Sequence, residues 1–157
     1  MITLLFTKSP KWGSRLIRWA LNEPVSHVAV FIGGGVDLVV HSKFYGGVDI
    51  DTIKTFQKHN QILYQIDLPF SQKTYDELLS LEEKPYDYSA FLWLGWRAIL
   101  RKLFGVKVPA IDPLNAKGCF ICTEVANVVL YYLGCDVVPN ATPMEIYKKM
   151  RVFKGIL

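Results

Sequence analysis

Three residues in this sequence have types and positions suited to acyl-transfer chemistry: Cys122, His27 and His41. Cys122 falls at or next to the first turn of a helix, which the apolar spacing at 121, 125, 128, 129 and 132 predicts. Unpaired N–H groups and the macrodipole favour an anion at a helix start, so a thiolate there is expected to have a lowered pKa. The same N–H groups could receive an oxyanion. The plain alternative is that Cys122 is a small buried hydrophobe, a common role for a free cysteine. Cys135, directly after Gly134, fits that structural role, and Cys119 carries no signal either way.

The two histidines are linked by a hairpin argument. His27 to Ile32 is β-rich and runs into Gly33, Gly34 and Gly35, a strong turn signal, after which Asp37 to Ser42 suits a return strand. If the three glycines form the whole loop, His27 stands directly opposite His41 on one face, about 5 Å away. A slip of one residue would send the two to opposite faces. Val28, Val30 and Ile32 would fill the other face. A histidine leading an apolar strand is often an ordinary edge residue. Two that can pair, with a cysteine at a helix start, fit a nucleophile and a base oriented by a third polar group.

The remaining elements must position these groups. Residues 2–7 suggest a short apolar strand, and Ser14 is expected to cap a helix through Leu21 that the Glu23-Pro24 pair ends. Val48-Asp49-Ile50-Asp51 alternates as a half-buried strand does, and Gln61 to Leu68 suggests another. Helices are expected over Ser71 to Glu83, over Tyr86 to Phe104, and from Ile121 to a stop at Gly134. A last one runs over Met144 to Met150, with Thr142 as cap and Pro143 in its first turn. Strands clustered among helices without βαβ alternation indicate an α+β fold, an antiparallel sheet packed against helices.

At 157 residues, with no repeat or linker, the chain fits a single domain over 1–157. Apolar residues make up 51% and charged residues 20%, a globular composition. The net charge of +4 is too small for a nucleic-acid binder, so no nucleic-acid partner is expected. The apolar run Phe91 to Leu103 is broken by Arg97, Arg101 and Lys102 and does not suit a spanning helix. The opening residues lack the pattern of a signal peptide, and three cysteines give no disulfide framework. The expectation is therefore a cytoplasmic protein, of a bacterium or of a virus-infected cell.

Four segments together resemble a known family: Ser26-His27-Val-Ala-Val-Phe-Ile-Gly-Gly34, Val40-His41-Ser42, Gly46-Gly47-Val48 and Phe120-Ile-Cys122-Thr-Glu-Val125. They are similar to the circularly permuted branch of the NlpC-type papain-like superfamily, and to the lecithin retinol acyltransferase-like enzymes. In that branch the histidine strand precedes the cysteine helix, as here. The resemblance runs over roughly residues 14 to 147 and is specific in the histidine strand and the cysteine helix. It implies a papain-like fold with Cys122 as nucleophile, His27 as base and His41 at the third polar position. Tyr86, in Lys84-Pro85-Tyr86-Asp87, resembles the Pro-Tyr element whose tyrosine lines the site, although Tyr88 is equally near and packing alone would explain either.

The expected function is that of a cysteine hydrolase acting through an acyl-enzyme, without a metal or organic cofactor, on a small acyl or peptide substrate. Either lipid-like acyl bonds or cell-wall muropeptides would suit the resemblance. The aromatic and basic residues from Tyr86 to Phe104 favour the lipid reading and a peripheral membrane contact, if part of that helix is exposed. The span from Tyr86 to Gly118 is expected to form a helical hairpin or lid. Two rival readings stand beside this one. Cys119-x-x-Cys122 with His27 and His41 could hold zinc, or the fold could serve as an inactive binding module.

Overall fold

The computed structural model describes residues 1–35, 37–105, 118–137 and 140–153. Within these, five strands, β1 (Ile2–Lys8), β2 (His27–Ile32), β3 (Leu38–Lys43), β4 (Gly47–Thr52) and β5 (Gln61–Leu68), form one antiparallel sheet in the order β4-β3-β2-β1-β5. Among the described residues, six helices accompany it: α1 (Trp12–Leu21), α2 (Ile53–Gln57), α3 (Gln72–Ser80), α4 (Tyr88–Phe104), α5 (Cys122–Tyr132) and α6 (Pro143–Phe153). The expected α+β class is present. Of the span from Tyr86 to Gly118 expected to form a helical hairpin or lid, Tyr88–Phe104 is the single helix α4, and residues 106–117 lie outside the described residues.

The period-two patterning of the strands divides the sheet into two faces. Ile2, Leu4 and Phe6 of β1, Val28, Val30 and Ile32 of β2, and Val40 and Val48 join Leu78 of α3, Val125 and Val129 of α5, and Ile146 and Met150 of α6 in the main core. The alternate residues Leu5, Ala29 and Val39 form a smaller cluster closed by Phe56 of α2. Sequence patterning does not announce α2, a single turn capped by the Thr52 side chain, which accepts the Thr55 N–H. Phe56 is nonetheless wholly buried, and burial of such a ring is worth roughly 1.5–3 kcal/mol.

Two sequence expectations are corrected here. Ser14 lies inside α1, whose cap position is Lys11; its hydroxyl instead takes the Ser9 N–H at 3.0 Å and meets the Ser26 hydroxyl at 2.6 Å. β2 ends at Ile32 and β3 begins only at Leu38, further along the chain than a loop of the three glycines would set it. Val40 therefore faces Val30 rather than Val28, a shift of two residues. An even shift preserves the faces, so His27 and His41 still share one.

Candidate active site

Three segments converge at the end of the sheet where β2 and β3 part. Pairing between those strands is formed at Val30–Val40, Phe31–Val39 and Ile32–Leu38, leaving residues 27–29 outside the ladder on that side. At β4, Gly47 has φ +79°, and a Cβ there would stand 2.1 Å from the Lys84 carbonyl oxygen. Only glycine lets the chain pass so close, and the approach lets the Val48 N–H donate to Lys84 O at 2.8 Å. Residues 84–87 in turn hold the start of α5: the Phe120 N–H donates to Pro85 O at 2.8 Å, and the Ser42 hydroxyl donates to Phe120 O at 2.6 Å. The Gly46-Gly47-Val48 segment thus bears on the start of α5 through backbone contacts, and the His41-Ser42 segment through the Ser42 hydroxyl.

Cys122 is the first residue of α5, with Ile121 at the cap position; the Ile121 N–H donates to Glu124 Oε2 at 2.8 Å. Its thiol lies against the backbone N–H groups of Val28 and Thr123. Burial pushes the thiol up to about 11, outweighing these N–H groups, which pull the other way. The lowered pKa expected at a helix start is therefore not the resting condition of Cys122: taking the sulfur out of water costs the anion more than the helix start returns.

His27 and His41 meet edge to face, with ring centroids 5.5 Å apart and planes at 73°. Phe56 packs against both rings, at 6.3 Å and 5.0 Å. Burial, and then the neighbouring His41, drive the His27 imidazole down to about 3, so it is neutral near pH 7. Its Nε2 is buried and has no hydrogen-bond partner among the described residues. His41 is also lowered by burial, with Asp51 opposing the shift. Its Nε2 lies 3.0 Å from Asp51 Oδ2. Burial raises Asp51, but hydrogen bonds from His41 and Lys43 outweigh it and hold the carboxyl below its ordinary value. An ionised carboxylate only accepts, so His41 donates from Nε2. Lys43, 3.0 Å from Asp51, also pairs with Asp49.

The structure brings Cys122 to the β2 backbone one residue from His27, and sets His27 against His41. It does not place His41 Nε2 on His27, since that nitrogen is committed to Asp51. Nor do the thiol and imidazole approach across a single face: α5 packs with Val28 and Val30 in the main core, whereas His27 touches Phe56 on the other side. Tyr86 is near Cys122 and packs with Phe44, Tyr88 and Phe91 at 5.3, 5.1 and 6.1 Å. Burial first, and Cys122 second, push its phenol well up, so it remains protonated. Asp51 is the residue that the sequence analysis did not single out. The alternation of Val48-Asp49-Ile50-Asp51 held its signal, because it puts both aspartates on the face of His41, which pairs with Asp49.

Among the described residues, no group of three or more His, Cys, Asp or Glu stands close enough to hold a metal ion. The proposed zinc set of Cys119, Cys122, His27 and His41 is accordingly not assembled. Comparison with models of protein families, with curated proteins and with solved structures finds no match for this chain.

Proposed function

We propose that this chain is a cysteine-dependent acyl hydrolase of papain-like, permuted NlpC-type architecture. Cys122 is the nucleophile, His27 the base, and His41 and Asp51 are positioning residues. The observation that carries this reading is the thiol of Cys122 at the start of α5, against the N–H of Val28. His27, the residue before Val28 on β2, is a neutral imidazole whose Nε2 is committed to no other partner among the described residues.

The mechanism starts from a neutral thiol and a neutral imidazole. As the Cys122 sulfur bonds to the substrate carbonyl carbon, its proton passes to His27 by way of a water at the open end of β2, since the two side chains stand on different faces, and the carbonyl electron pair moves onto oxygen. N–H groups at the start of α5 are the available donors for that oxyanion. Collapse of the tetrahedral intermediate expels the leaving group, which takes the proton from His27. A water molecule then gives a proton to His27, and its oxygen attacks the acyl-enzyme; breaking the carbon–sulfur bond returns the proton to Cys122 and releases the acid. His41, held by Asp51, keeps the His27 ring in place. Burial disfavours both the His27 cation and the Cys122 anion, so the proton moves only as bound substrate stabilises the charges that form.

The substrate class that we favour is a lipid-like acyl ester or amide, over a muropeptide. The aromatic cluster of Phe44, Tyr86, Tyr88 and Phe91 beside Cys122 offers apolar contact to an acyl chain. Separate incubations with short-chain acyl esters, N-acyl amines and purified muropeptides test this. Turnover of acyl substrates that is lost in Cys122→Ala is the expected result. Turnover of muropeptides alone overturns the substrate class, and turnover that survives Cys122→Ala overturns the nucleophile.

A further inference from the structure

All four tryptophans of the chain, Trp12, Trp19, Trp93 and Trp96, lie on α1 and α4. These helices pack together away from the five-stranded core. On α1, Trp12, Leu16 and Trp19 recur at helical spacing and are 79%, 51% and 56% exposed. On α4, Leu92, Trp96, Ile99 and Leu103 form the matching exposed stripe, continued by Phe104. The two stripes adjoin where the Lys102 ammonium sits 3.8 Å from the Trp19 ring centroid and donates to the Trp19 carbonyl. So many large apolar side chains, gathered on two adjoining helices, mark an interaction surface.

The charge on this surface identifies its partner. The two helices carry Arg15, Arg18, Arg97, Arg101 and Lys102 and no acidic residue. Arg15, Arg101 and Lys102 are exposed among the apolar stripes. A partner must therefore be apolar within and negative at its surface. A bilayer containing anionic lipid meets both demands. Tryptophan favours the headgroup level, and basic side chains favour anionic headgroups. Crossing the bilayer is excluded for these two helices, because no described helix is long and apolar enough. From these observations we infer that the α1–α4 face is a membrane-docking surface that lies in the plane of an anionic bilayer.

The face stands on its own geometry and not on the chemistry proposed for Cys122. The two are joined in one respect: the first turn of α4 carries Tyr88 and Phe91, which pack with Tyr86 beside Cys122. Docking through α4 would bring that aromatic cluster towards the lipid.

Because every tryptophan is on these two helices, intrinsic fluorescence reports directly on the face. The protein is titrated with phosphatidylcholine vesicles and with phosphatidylcholine–phosphatidylglycerol vesicles, and binding is read both by co-sedimentation and by the emission maximum. The expected result is a blue shift and sedimentation with the anionic vesicles at least about tenfold stronger than with the neutral ones, weakened by added salt. Trp96→Ala with Leu103→Ala, and separately Arg15→Glu with Arg101→Glu, should each reduce that binding about tenfold or more while the circular dichroism spectrum is retained. Cys122→Ala should bind as the unsubstituted chain does. The inference is overturned if neither vesicle binds, or if binding is unchanged in both double variants. It is equally overturned if the apolar variants convert a dimer to a monomer in the absence of any vesicle binding, which would assign the face to a second copy of this chain.

Discussion

The imidazoles of His27 and His41 lie edge to face at 5.5 Å, on strands paired two residues away from the register in which they would be directly opposite. Their contact survives because the shift is even, so both side chains keep the face that Phe56 closes. Burial beneath that ring disfavours the charged form of both histidines.

That burial makes stability depend on pH in a definite direction. The folded pKa of His27, about 3, lies below the ordinary value of 6.5. Between those values the unfolded chain binds a proton that the folded chain excludes, so stability is full above pH 6.5 and is lost as the pH falls towards 3. His41 shifts in the same direction. Urea midpoints measured from about pH 7.5 to about pH 4.5 should fall steadily, and His27→Leu should flatten that fall. An unchanged slope in His27→Leu would contradict the buried, neutral assignment.

The link from His41 to Asp51 predicts an order of defects. His27→Ala should remove nearly all hydrolysis. His41→Asn should leave a measurable remainder, since asparagine can still hold the neighbouring ring. Asp51→Asn should lower kcat roughly tenfold to a hundredfold with little change in KM, because its loss disturbs orientation rather than binding. It should also displace the acid limb of the pH–rate profile, since Asp51 opposes the lowering of His41. An Asp51→Asn profile identical to that of the unsubstituted protein would reduce the pair to packing.

Thiol reactivity separates the resting state found here from an ion pair. With its thiol pushed up to about 11, Cys122 should react slowly with iodoacetamide at neutral pH, and faster as the pH is raised through 9 and beyond. Mapping by mass spectrometry after brief, limiting treatment at several pH values provides the check. Preferential labelling of Cys122 at pH 7 would show that the resting thiol is ionised.

Much of this arrangement is legible in the sequence because it follows from periodicity. The span His27–Ile32 of β2, the span Gln61–Leu68 of β5, the helix beginning at Cys122 and the Thr142-Pro143 start of α6 are all present. Thr142 Oγ1 accepts the Glu145 N–H at 3.2 Å, as a cap should. What patterning misses depends on three dimensions. The loop after Ile32 is longer than its glycines suggest, and α2 is too short for a periodic signal. The thiol pKa is decided by burial, whereas position in the helix is all that the sequence reveals. Asp51 illustrates the same gap: its face can be deduced, but its bond to His41 comes from the diagonal approach of β3 and β4.

The proposed chemistry requires Cys122 to form a covalent acyl-enzyme with His27 as its base, and intact-mass spectrometry tests this directly. The protein is mixed with an activated short-chain acyl ester, quenched in acid within the first turnover, and digested to locate the adduct. The expected result is a single added acyl group on Cys122 that disappears on further incubation in water. No adduct should form in Cys122→Ala, and a strongly slowed one in His27→Ala. An acyl group on Cys119, on Cys135 or on no cysteine, or undiminished acylation of Cys122 in His27→Ala, would contradict the proposed chemistry.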